Sequence, residues 1–295
     1  MRIGTVLELW RHPVKSMGGE SMAAAEIGLT GLAGDRHWAV LDGESGEIRG
    51  AKRWPELLRC RARYAGDGPV TTADYDSRVQ AVILSGPDGQ ELRSDAPDRD
   101  AVLTSWLGRA VTLSPRHDAR DLAHYRLAQP RTAESIAAEM ALQDGEEFPD
   151  YSDLDAATMG ALADSATPPG SYVDAFPLHL ISRNALAWFA GRSGLDTDPR
   201  RFRANLVVDV EGAGNVPAED EWSGYRLAIG EAVLRIDSRT VRCAMPGRPQ
   251  PHFGLADQPS MTGALVRQAN RRLGVNVLVE RPGYIRVGDP IHRLD

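Results

Sequence analysis

Cysteine is the scarcest reactive residue in this chain: Cys60 and Cys243 are the only two among 295 residues. Two thiols make no disulfide framework, and alone they hold neither a zinc ion nor an all-cysteine iron–sulfur cluster. Aromatic residues are also few, at 6%. No apolar run approaches the ~20 residues that span a bilayer, and Met1-Arg2-Ile3-Gly4 leads into a strand-like run rather than a signal peptide. The expectation is a cytoplasmic location without membrane contact. Positive charge is not in excess. A net charge of −7 argues against a broad nucleic-acid footprint, though it leaves room for a local basic pocket. The glycine spacings of a P-loop and of a nicotinamide or flavin fingerprint are missing. What is present is an ordinary globular composition, 42% hydrophobic and 25% charged. At about 150 residues per domain, the length suits two domains or one large one.

Short β-rich runs dominate, at 3–10, 39–41, 57–64, 79–85, 111–113, 177–181, 206–208, 225–229, 232–236, 275–280, 283–287 and 291–294. Helical patterns are fewer: 98–107, 132–142 with Thr132 as cap, 154–163, 183–194 with Ser182 as cap, and 261–273. Many short strands with glycine turns predict a mainly β protein with helical decoration, in the form of a β-barrel. Composition changes after Pro115. The expected organisation is a β-domain over 1–115 and a β-barrel domain over 116–295, with a polar, helix-bearing connection at about 116–175.

Several stretches carry chemistry. Val241-Arg242-Cys243-Ala244-Met245-Pro246-Gly247 follows two apolar runs, and Pro246-Gly247 turns the chain, which predicts Cys243 on a loop at a sheet's rim. A neighbouring arginine favours a thiolate, which is both a nucleophile and a soft metal ligand. A small buried hydrophobe is the plainer role for a lone cysteine. Cys60, between Arg59 and Arg61, reads as a packed or half-exposed strand cysteine. The loop Pro13-Val14-Lys15-Ser16-Met17-Gly18-Gly19 has the parts of an anion-holding loop, or of a solvated turn. Arg36, after the glycine-rich reversal 28–34, offers a planar fork for phosphate or carboxylate; a surface ion pair with Asp35 is the alternative. Arg201, Arg203 and Asn205 lie two apart, so they share a face if the following strand has already begun; they hold an anion or face water. Asp220 sits in the acidic turn Glu219-Asp220-Glu221-Trp222.

Pro13-Val14-Lys15-Ser16, Gly34-Asp35-Arg36-His37-Trp38, Arg201-Phe202-Arg203-Ala204-Asn205, Glu219-Asp220-Glu221-Trp222, Gly230, Arg242-Cys243 and Val287-Gly288-Asp289 stand in an order that resembles the MOSC family, the molybdenum-cofactor sulfurase C-terminal domains. The similarity is to its two-part form, in which an N-terminal MOSC-type β-domain precedes the MOSC barrel, and it runs from about residue 3 to about residue 293. The resemblance implies a molybdopterin-type molybdenum cofactor with Cys243 as metal ligand. It implies cofactor-binding positions at Lys15, Ser16, Arg36, Ser182, Arg201, Arg203, Asn205 and Arg242. Many relatives have hydroxyl residues after the cysteine loop where this chain has Pro246-Gly247, so the backbone N–H of Gly247 is expected to substitute. The implied activity is reduction of an N-hydroxylated substrate (amidoxime, hydroxylamine or N-hydroxypurine type), with Asp220 as a further candidate catalytic residue. Electrons are expected from an external ferredoxin-, flavodoxin- or cytochrome-type donor and its reductase. A non-catalytic carrier of the cofactor, or of a persulfide on Cys243, is the alternative. Pyridoxal phosphate binding, a property attached to the family, belongs to an aminotransferase-like domain for which the chain has no room.

Overall fold

A computed structural model describes residues 1–66, 68, 70–72, 79–143 and 145–294. Its centre is a closed seven-stranded barrel. Around the ring run Leu206–Val210, Leu178–Ser182, Arg272–Arg281, Ala232–Val241, Arg226–Ile229, Pro290–Arg293 and Arg2–Arg11, the last pairing back onto Leu206–Val210. Every neighbouring pair in the ring is antiparallel except Leu178–Ser182 with Leu206–Val210. That parallel pair needs a crossover, supplied by the helix Arg183–Ser193. Ser182 caps this helix by accepting the Ala185 N–H at 2.9 Å, and Gly194 ends it in the left-handed conformation, φ 70°.

Side-chain alternation sorts the barrel into inside and outside. Leu178, Leu180, Leu206 and Val208 pack with Leu9, Leu234, Ile236 and Val275 in one core. Their sequence neighbours Ile181 and Val207 face the opposite way, against Phe189 and the helix Met261–Ala269. A small sheet of Ala24–Gly28, Gly31–Leu32 and Gly283–Arg286 adds Ala25, Ile27, Leu32 and Ile285 to the inner core.

The N-terminal half contributes two more sheets, Trp38–Asp42 with Ile48–Arg49 and Val111–Pro115, and Arg61–Tyr64 with Val82–Ser85 and Glu91–Arg93. Both pack with the helix Arg99–Leu107 around Leu57, Leu84, Leu103 and Leu113. Met245 belongs to this second core and Cys243 packs against it. The cysteine loop therefore lies at the seam between the N-terminal sheets and the barrel. Among the described residues of 116–175 are the helices Leu122–Tyr125, Ala133–Met140 and Ala156–Asp164.

Two expected elements differ. The strand expected at 57–64 starts only at Arg61, because Pro55–Arg59 forms a 3-10 turn with proline in its first turn. That turn buries the adjacent Leu57 and Leu58 together, which alternation along a strand cannot do. The helix expected at 261–273 ends at Ala269: Asn270 and Arg271 both adopt left-handed φ, 48° and 58°, and Leu273 already lies in the strand Arg272–Arg281. Arg2–Arg11, although first in the chain, is a barrel strand, and Gly283–Arg286 pairs with Ala24–Gly28. The two halves are thus interleaved. Cys60 is fully buried, and burial pushes its thiol up to about 12.

Candidate functional site

A cavity of about 640 Å³ opens at the seam, and Lys15, Ser16, Arg36, Lys52, Arg203, Arg242 and Cys243 line it together. The size is that of a typical small-molecule site. The loop after Arg2–Arg11 delivers two of these residues. Lys15 is held by its N–H to Trp38 O at 2.8 Å. Ser16 takes a left-handed φ of 66°, and its Oγ accepts the Ala51 N–H at 2.9 Å, leaving the hydroxyl proton for another acceptor. Lys15 Nζ donates to Tyr172 O at 3.1 Å and pairs with Asp174. Lys52 approaches the same carboxylate at 4.0 Å. Burial pushes the Asp174 carboxyl up, but the combined pull of Lys15 and Lys52 wins and holds it well below the usual range. Lys52 is raised by Asp174, whereas burial is the larger effect on Lys15 and lowers it.

Arg36 also has a left-handed φ, 50°, after Gly34, where an added Cβ would meet the Tyr64 ring at 2.7 Å. Its guanidinium pairs with Asp35 and donates to Asn205 Oδ1 at 3.4 Å and Arg203 O at 3.3 Å. Asn205, buried, also donates to Trp10 O and Asp35 Oδ2 and accepts the His179 N–H at 3.2 Å. It is a bracket that joins three chain segments beneath the cavity.

The shared-face argument for Arg201, Arg203 and Asn205 does not hold, because the strand begins only at Leu206. Pro199–Phe202 is a helical turn, and Arg203 closes it with φ 56°. Arg201, 1% exposed, ion-pairs with Asp196 at 3.0 Å and donates to Pro246 O and Ala256 O, so it braces the cysteine loop. Arg203 bonds Met17 O. Arg242 bonds Phe202 O and Leu273 O, with His179 Nε2 beside it. Burial lowers both arginines to about 9, in Arg242 against the opposing pull of Cys243. They remain cations at neutral pH.

Cys243 is half-buried on the cavity wall, just past the strand Ala232–Val241. Three expected site residues are placed elsewhere. The Gly247 N–H donates to Ala244 O at 3.3 Å within the turn Met245–Gly247, and Pro246 faces the cavity instead. Ser182 is buried off the cavity, giving its N–H and Oγ–H to Glu219 at 2.8 and 2.6 Å. Asp220 is also off the cavity. Burial, then Glu219, raises its carboxyl to about 6, and Oδ1 is buried without a hydrogen-bond partner among the described residues. Sequence reasoning missed Lys52, Asp174 and His179. Lys52 had one usable signal, a cation two residues past Gly50 at the end of an expected hairpin; Asp174 and His179 had none.

The cradle suits an anionic group. Arg203 and Arg242, 8% and 7% exposed, have no carboxylate within ion-pair distance among the described residues. A buried cation without a counter-charge is costly, and a phosphate beside a thiolate-bound metal would supply one. The donor set fits a phosphorylated cofactor with a soft metal contact.

Family comparison agrees with this seam. Residues 3–112 match the MOSC N-terminal beta barrel domain and residues 168–292 the MOSC domain. The chain belongs to the MOSC family. Across 99% of this MOSC chain and 84% of the relative, it is 26% identical to mitochondrial amidoxime-reducing component 1 of Homo sapiens. It is 25% identical to mitochondrial amidoxime reducing component 2 of Bos taurus, with the same two coverages. Among solved structures, the YUAD protein from Bacillus subtilis is similar with a TM-score of 0.44 and 16% identity, over 98% of this chain and 94% of that one. No described helix of this MOSC protein is long and apolar enough to cross a membrane.

Proposed function

We propose that the cavity holds a molybdenum cofactor of the pterin-phosphate type, with Cys243 as its protein ligand, and that the loaded protein reduces N-hydroxylated compounds. The observation that carries this is the convergence of Lys15, Ser16, Arg36, Arg203 and Arg242 with Cys243 on one cavity, two of the guanidiniums being buried with no carboxylate at ion-pair distance among the described residues. The names of the relatives, amidoxime-reducing components, support the reaction class.

When bound, the cofactor supplies a two-electron reductant able to accept an oxygen atom. The chain does the holding. Lys15 and Arg36 give charge-assisted hydrogen bonds to phosphate, and the free Ser16 proton adds a neutral one. Asp174 yields Lys15 and Lys52 to the incoming anion and orients them from behind. Arg203 faces the same group from the barrel side, fixed by Met17 O and by the Arg36–Asn205 bracket. Arg242 sets a positive field next to the cysteine sulfur. Neutral His179, depressed by burial and by Arg242 and Arg36, adds no further charge. Electrons come from an external ferredoxin-, flavodoxin- or cytochrome-type protein and its reductase.

The test is elemental analysis of protein from molybdenum-replete cells, with reduced-dye oxidation on adding benzamidoxime. Wild type should carry molybdenum and turn over, Cys243→Ala should lose the metal, and Arg203→Glu should lose cofactor while keeping its circular dichroism. Equal metal in wild type and Cys243→Ala removes the cysteine as ligand. Metal without turnover points to a carrier.

A further inference from the structure

The two family-matched stretches leave 113–167 between them uncovered. That intervening segment builds the outer wall of the cavity. Ile136, Phe148, Leu154, Met159 and Leu162 from it line the same cavity as the cationic cradle. Phe148 is 52% exposed and Met159 39%, large apolar side chains left uncovered at a cavity mouth. Such a face is expected to be covered by an apolar ligand group.

Most of the wall's charges are already engaged. Glu139 is held by Arg53 and Arg131, each at 2.7 Å. Asp150 is bound by Arg272 at 3.2 Å, and Asp153 lies 3.2 Å from Arg272 and 3.8 Å from Arg239. Asp164 is the one wall carboxylate without an ion pair among the described residues. Asp164 apart, a charged substrate body therefore finds no unengaged partner on this side, and an anionic one finds none at all among the described residues. The same pairs tie the wall to the barrel, and Arg271 reinforces them through Glu146, Met140 O and Ala141 O. The apolar face is held in place on the cavity that Cys243 also lines.

We infer that this face receives the carbon skeleton of the substrate, so that the chain selects N-hydroxylated compounds with an uncharged aryl or longer alkyl body over small or anionic ones. The inference rests on the reductase reading for the reacting group, but the selection lies in residues 130–162 of this chain. Phe148 and Met159 act as specificity-determining residues: they touch the substrate body, not the reacting atoms.

The experiment measures affinity and turnover separately on full-length protein from molybdenum-replete cells. Calorimetry gives Kd for 4-butylbenzamidoxime, benzamidoxime and acetamidoxime with wild type, Phe148→Ala and Met159→Ala, and reduced-dye oxidation gives kcat and KM for the same set. Affinity should fall in the order written, by roughly tenfold or more from first to last, as removing apolar contact does. Each variant should weaken the two aryl compounds several-fold, with a smaller effect on acetamidoxime. Both side chains are half-exposed, so the variants should fold, and unchanged circular dichroism verifies this; two variants on separate segments guard against one failing. Acetamidoxime binding within twofold of benzamidoxime, or wild-type affinity in both variants, overturns the inference. Ordered affinities without turnover would sink the reductase reading and leave the selection standing. Turnover with flat affinities would do the reverse.

Discussion

Asp220 shows how much one carboxyl can matter away from the chemistry. Its folded value is raised to about 6 by burial and by Glu219, so at neutral pH it is an ionised group in a poor place. A raised carboxyl lowers stability above its folded value, and the penalty fades as pH falls and the group takes up a proton. Asp220→Asn should therefore raise stability at pH 7.5 by about 1–2 kcal/mol, after discounting for its partial exposure, read as a higher thermal midpoint, with the gain disappearing near pH 4. Midpoints measured across that range would refute this if the gain did not vary with pH. The same residue marks a limit of sequence reading. Lys15, Arg36, Arg203 and Cys243 were legible as candidates because cationic forks and a thiol are the groups an anion and a soft metal call for, and all four line the cavity. Asp220 stands in one of the ordered motifs and Ser182 is grouped with the implied cofactor-binding positions, yet the fold turns Ser182 and Glu219 toward each other in a capping network behind the cavity. Motif membership carries no direction for a side chain.

Among the elements, the clamp between Arg271 and Met140, Ala141 and Glu146 holds the helical segment to the barrel. Arg271 is 3% exposed and donates to Glu146, Met140 O and Arg242 O. Arg271→Ala leaves Glu146 without its cation and three carbonyl contacts unmade, and should cost about 3 kcal/mol. Chemical denaturation measures the loss, and limited proteolysis should show earlier cleavage within 140–153. Hydrogen bonding to Arg271 lowers the Glu146 carboxyl. Its contribution is thus complete above the ordinary glutamate value and is lost as pH falls through the folded one. This clamp was not readable beforehand. Arg271 lay inside an expected helix, and only its left-handed φ, directly after Asn270, turns the side chain toward the loop. By contrast, the helices beginning at Ala133 and Arg183 were legible from their Thr132 and Ser182 caps, since a cap acts locally.

For the whole molecule, barrel closure depends on backbone contact at a residue without a side chain. Gly4 pairs opposite Val210, and a Cβ there would fall on the Asp209 carbonyl oxygen. Gly4→Ala should destabilise the closed ring by about 1–3 kcal/mol, read as a lower denaturation midpoint. A wild-type midpoint would mean that the ring has more slack than its register indicates. Two buried histidines set a global pH limit. His12 and His179 are depressed well below 6.5, each chiefly by burial and then by arginines, Arg203 and Arg36 for the first, Arg242 and Arg36 for the second. The folded state keeps both neutral while the unfolded chain protonates, so stability is full above about 6.5 and declines as pH falls below it. His12→Phe should make that decline shallower in thermal scans between pH 6.5 and 5. The barrel class was visible in the count of short glycine-punctuated strands. Its ring order was not, because pairing between distant strands leaves no trace in local composition.

The seat of Arg2–Arg11, between Leu206–Val210 and Pro290–Arg293, has a consequence for biogenesis. During translation this segment emerges long before Pro290–Arg293, its second neighbour, has been made. Until that strand arrives it is an unzipped edge that a nascent polypeptide must keep shielded, and the cationic loop hung from its far end lacks its seat. Any ligand that needs the closed ring is accordingly admitted only after Pro290–Arg293 has docked.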